Sequence, residues 1–185
     1  MGRGGLGERG SRLREREVVS DLLAEFRGNE VLLRADIENN TRTKEAGAAW
    51  AAALLGATAL PPDSVTALWL LSQDWSRFDP VSGVLLSLVD GGSLNLIQDD
   101  ELRQALAGWE GRADEARNTS QDMTVELAGL RTMVLSIRPG AALTAGERAA
   151  VIYSASFSEG SLSQMIPLLG HLRQIISLLE AQLEP

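Results

Sequence analysis

The chain has 185 residues, the length of one domain or one compact two-lobed bundle, and enough to bury a core without covalent staples. It contains no cysteine and a single histidine, which excludes disulfides, thiol chemistry, cysteine-ligated metal and a histidine-rich metal site. Twenty-five acidic residues against 17 basic ones give a net charge of -8, a balance that argues against nucleic acid as a partner because phosphate backbones are held by concentrated Lys and Arg.

Residues 1–11 are rich in glycine and arginine and offer nothing to bury, so they read as a disordered tail and not as a signal peptide. No window reaches the roughly 18 apolar residues of a spanning helix. As written, the chain is expected to stay in the cytoplasm. A membrane-anchored location requires a native start further upstream.

From about Arg12 to Ala59 the composition is helical, with Val19, Leu22, Phe26 and Leu33 on one stripe. The stripe turns polar at Asn29, Asp36 and Asn40. Residues 39–43 (NNTRT) form helix poorly and suggest a kink. Pro61-Pro62 ends this segment. Asp63 or Ser64 can cap a short helix over 64–74, with a strand over Val65–Leu71 as the competing reading. Asp79-Pro80 is a start signal for a helix that runs to Val89 and is stopped by Gly91-Gly92. Leu94–Ile97 is an apolar connector.

Asp99 or Asp100 opens the clearest element. Leu102, Leu106, Trp109, Ala113, Ala116, Ser120, Met123, Leu127, Leu130, Val134 and Ile137 alternate four and three apart, a heptad seam. Arg138-Pro139-Gly140 ends it. Thr144 to Tyr153 reads as a short helix with Glu147 completing a capping box, and Ser154–Ser161 as a loop. The last helix spans Leu162–Leu183, with Leu162, Met165, Leu169, Leu172, Ile176, Leu179 and Leu183 on its seam.

Candidate chemistry is sparse. His171 lacks the orienting partners that acid–base or nucleophilic catalysis needs. The acids Glu15 and Glu17, Asp99-Asp100-Glu101, and Glu110 with Asp114 and Glu115 have no Glu-x-x-His companions, and the second group suits a helix N-terminus. Gly91-Gly92 lacks the lysine of a phosphate loop. Asn118-Thr119-Ser120 matches a glycosylation triplet but falls inside a helix. Trp109 belongs to the core, while Trp50, Trp69 and Trp75 either pack or line a small pocket. The polar stripe Asn29, Asp36, Asn40 either sets register or lines a cleft between helices.

The order Asp79-Pro80-Val81-Ser82-Gly83, then Gly91-Gly92, then Leu94-Asn95-Leu96-Ile97, then Glu101-Leu102-Arg103 carries a resemblance. Together with the charged run from Arg12 to Glu25 and the segment Leu32–Asn40, it resembles an uncharacterised bacterial helical family described as domain of unknown function 6090, over about residues 12–138. The motifs are caps and turns, so it is their order that is specific. The resemblance implies one transmembrane helix before the charged helix and hence membrane association. This sequence departs there, with its Gly/Arg tail. The family has no catalytic residues to carry over.

The sequence therefore predicts an all-α fold: an antiparallel helical bundle with long heptad-patterned helices and short connecting helices, residues 12–185 forming a single domain. It assigns no catalytic, cofactor-binding or metal residue and no cofactor. The expected role is a non-enzymatic structural or protein-interaction domain, with self-association or a helical protein partner on the heptad seam. The alternative is a small-ligand sensor, resting on Trp50, Asn40 and Trp69 meeting in a cleft.

Overall fold

A computed structural model describes residues 5–137 and 142–184; the side chains of residues 5–12, 120, 122–127, 131 and 135 lie outside that description. The fold is an all-α antiparallel bundle. Its helices are α1 (Gly5–Leu54), α2 (Pro62–Ser72), α3 (Gly83–Asp90), α4 (Asp100–Ser136) and α5 (Ala145–Leu183), with a 3-10 helix at Ser93–Leu96. No strand occurs among the described residues, which settles 64–74 in favour of helix. Helix α1 starts at Gly5, within the segment whose glycine content suggests a tail.

Several boundaries differ from the local signals, and for α3 and α5 a tertiary contact is the reason. Residues 39–43 are helical without interruption. Their polar side chains are accommodated without breaking the helix: Thr41 Oγ1 donates to the Ile37 carbonyl of the same helix at 2.7 Å, and Asn39 donates to the Asp74 carbonyl. Helix α2 has Pro61 at its N-cap and Pro62 in its first turn, and neither Asp63 nor Ser64 caps it. Helix α3 starts at Gly83, three residues after Pro80. Its first amides are taken by a side chain from α1: Glu25 accepts from Val84 N at 2.7 Å and Leu85 N at 3.1 Å. Gly91 closes α3, and Gly92 follows at φ 64°, left-handed backbone that glycine adopts freely.

The loop expected over Ser154–Ser161 is helical, and α5 is one helix that contains Pro167. The serines and glycine there are weak helix formers, but Ser154, Phe157, Ser158 and Ser161 are buried on one face. Burial of that face outweighs propensity. Upstream, the capping box is present: Glu147 N donates to Thr144 Oγ1 at 3.2 Å while Thr144 N donates to Glu147 Oε2 at 2.8 Å.

The described chain divides into two compact units. The first comprises Met1–Leu33, Asp79–Asp114 and Pro167–Pro185. Leu22, Phe26, Leu85, Leu102, Leu106, Trp109, Leu172 and Ile175 fill its interior. The second comprises Arg34–Phe78 and Glu115–Ile166. Trp50, Val65, Val134, Ala150 and Val151 form a cluster there, alongside buried Asn40, Thr43, Ser72, Ser154, Ser158 and Ser161.

Seam positions Leu102, Leu106, Trp109, Ala113, Ala116 and Val134 are buried within this one chain. Ser120, Met123 and Leu127 lie outside the described side chains. The membrane association that the family resemblance suggests is corrected: among the described residues no helix is long and apolar enough to cross a membrane.

Candidate functional site

The polar stripe of α1 answers a need created by the extended stretch between α2 and α3. An extended backbone beside a helix leaves amides and carbonyls without ladder partners. In the first unit, Asn29 supplies both halves of the missing pairing: Nδ2 donates to the Val81 carbonyl at 2.7 Å and Oδ1 accepts from Val81 N at 2.8 Å. In the second, Asn40 does the same for Ser76, donating to its carbonyl at 2.9 Å and accepting from its amide at 2.8 Å. Asn40 Nδ2 also reaches Ser161 Oγ at 3.2 Å, and Thr43 Oγ1 donates to the Asp74 carbonyl at 3.1 Å. Both asparagines are fully buried. Their amides are engaged by the chain's own backbone, and Asn29 also contributes to the lining of a groove in the first unit. Asp36 sits half-buried beside Ser76; burial pushes its carboxyl above the usual range, opposed by the Ser76 hydrogen bond.

His171 stacks on Trp109 with ring centroids 6.4 Å apart and planes 20° from parallel. Its Nε2 is buried with no hydrogen-bond partner. Burial lowers its pKa, the Arg112 charge lowers it further, and contacts with the Ala105 backbone and Gln174 oppose. It is therefore a neutral imidazole on the flank of the core, without an acid or nucleophile to orient. Trp109 in turn meets Phe26 at 5.2 Å.

Three of the acids bond the chain's own groups. Asp99 Oδ1 accepts from Leu102 N at 2.8 Å and so caps α4, Asp100 pairs with Arg103, and Glu15 accepts from Gln98 N at 3.1 Å. Glu110 Oε1 is buried without a hydrogen-bond partner. Among the described residues no group of three His, Cys, Asp or Glu could hold a metal ion. Asn118 and Thr119 lie within α4.

Concave features occur in both units, among them a groove of about 510 Å³ in the first unit lined by Ala24, Glu25, Asn29, Val31, Leu32 and Val81. Two others belong to the second unit. Trp50 and Trp69 do meet, with ring centroids 4.8 Å apart and planes tilted 41°. With Leu54, Val65, Thr66, Val134 and Ile137 they line a pocket of about 170 Å³, and Asn40 is not part of it. Trp75 goes elsewhere, edge-on to Phe157 at 5.1 Å. The second feature is an apolar groove of about 640 Å³ between the end of α4 and the start of α5, lined by Leu130, Met133, Gly146, Ala149, Ala150 and Tyr153. Met133 and Tyr153 are 43% and 41% exposed, and the neighbouring Ile152 is 57% exposed, so the groove carries large apolar side chains to solvent.

The sequence singled out Trp50 and Trp69 but missed the groove. Leu130 was placed on the seam and Tyr153 at the end of a short helix; only their adjacency makes a surface feature. Glu25 was also missed, because a cap supplied from 60 residues away in the chain has no local signature.

No family model, no curated protein and no solved structure matches this chain.

Proposed function

We propose that this chain is a non-enzymatic helical interaction domain that pairs with a second copy of itself through the groove lined by Leu130, Met133 and Tyr153. The groove is the observation that carries the reading. Among the described residues its lining carries no charge, it has the volume of a specific binding cleft, and its rim is a flexible methionine and an amphipathic tyrosine. The buried part of the α4 seam is already filled by the chain itself, so a partner has to meet a different surface. A two-fold arrangement needs only one self-complementary patch, and Ile152 beside the groove extends that patch.

The test is mass in solution. Light scattering after size exclusion should give twice 19.8 kDa for the wild-type chain and the single-chain value for Met133→Asp. A monomeric wild type at about 100 μM, a loading far above the Kd of any stable dimer, sinks the reading.

A second reading, a small-ligand sensor, is favoured by the Trp50–Trp69 contact and the pocket beside it. It requires that filling the pocket change the exchange of α2 amides with solvent.

A further inference from the structure

We infer that the Trp50–Trp69 pocket is a binding site for a small uncharged aromatic ring of about the size of benzene. This rests on the sensor reading and gives it a ligand class. The argument begins with volume. The pocket holds about 170 Å³. An apolar cavity of roughly 150 Å³ stays dry and admits a benzene ring.

The walls select the chemistry. Trp50 is 3%, Val65 7% and Val134 4% exposed, so these form a dry floor, while Trp69 and Thr66 stand at the open side. The one hydroxyl present, Thr66 Oγ1, already donates to the Pro62 carbonyl at 3.1 Å, so it has no hydrogen to offer a ligand. Among the described residues no Arg or Lys lines the pocket to hold an anion, and no Asp or Glu lines it to offset the desolvation of a cation. A neutral ring loses little on leaving water and gains the tilted contact that indoles favour at centroid separations of 4.5–7 Å. The two indoles are themselves 4.8 Å apart at 41°, so they pack on each other and a ligand ring meets them from one side.

Fluorobenzene observed by fluorine NMR, titrated with the full chain, provides the test. The expected result is saturable binding with a Kd on the order of 1 mM, the range open to a six-carbon ligand. Thr66→Phe, at an exposed position of α2, places a ring over the pocket and should weaken binding at least tenfold. Val31→Ala, in the other unit, should leave it unchanged. Trp69→Ala should also weaken it, with circular dichroism confirming that the helices remain. No saturation with the folded wild type, or equal binding by Thr66→Phe, overturns the inference. Tetramethylammonium binding there more tightly than fluorobenzene also overturns it but leaves the sensor reading standing. Fluorobenzene binding without altered exchange in α2 supports the inference and removes the sensor reading.

Discussion

The two units share α1, α4 and α5, with α3 in the first and α2 in the second, and they are packed by different means. The first packs large aliphatic side chains around Trp109 and Phe26, and its one buried polar side chain among the described residues is Asn29. The second buries six polar side chains, among them Asn40, Thr43 and four serines, and brings α1 close to α5 at Gly47. A Cβ at Gly47 would lie 3.2 Å from the Ala155 carbonyl oxygen. Both concave features proposed for binding belong to the second unit. The contrast is between a unit dominated by buried aliphatic bulk and a unit that carries the features proposed for binding. Dispersion and burial concentrate where the leucines are, whereas small and polar residues leave both room and a directional network.

The largest expected effect comes from breaking the apolar side of this contrast. Trp109→Ala removes a fully buried indole and should cost about 3–5 kcal/mol in urea unfolding, enough to lose most of the fold. A loss under about 1 kcal/mol would mean that the first unit is not the stabilising one.

The next effect probes the polar side. Asn40→Ala strands the amide and carbonyl of Ser76 and should cost about 1–3 kcal/mol, with Asn29→Ala similar through Val81. Hydrogen exchange should localise the damage. Asn40→Ala should release amides near Ser76, and Asn29→Ala those near Val81 and the start of α3.

The smallest effect separates the units by pH. His171, in the first unit, has a lowered pKa, so its unfolded form takes up a proton first. Its contribution is intact above the unfolded value of 6.5 and falls away as pH drops below it towards the folded value. Asp36, in the second unit, has a raised pKa. Its contribution is complete below the unfolded value of 3.8 and lost as pH rises through the folded value. Thermal melts should therefore show His171→Gln flattening the slope just below pH 6.5, and Asp36→Asn raising the midpoint at pH 7 but not at pH 3. The opposite signs would contradict the environments described for both groups.

Much of the fold was legible because long helices announce themselves by period. The stripe at Val19, Leu22, Phe26 and Leu33 and the seam from Leu102 to Ala116 are buried as their spacing requires. The Thr144–Glu147 box is local and was readable. What escaped was tertiary. Asp79-Pro80 failed to start α3 because Asn29 holds Val81 extended and Glu25 caps the helix further on. Ser154–Ser161 reads as a loop by composition but is helical because Ser154, Phe157, Ser158 and Ser161 face the interior. Trp50 and Trp69 meet beside a pocket, while Asn40, expected with them, is drawn to Ser76 instead.

The central claim is that recognition resides in the groove of the second unit. Hydrogen exchange measured at about 1 μM and about 100 μM protein, concentrations that bracket the Kd expected of a modest dimer, tests it most directly. The account predicts added protection at the higher concentration confined to residues 128–137 and 145–155. Identical exchange at both concentrations, or protection gained instead around Val31 and Leu32 in the first unit, would contradict it.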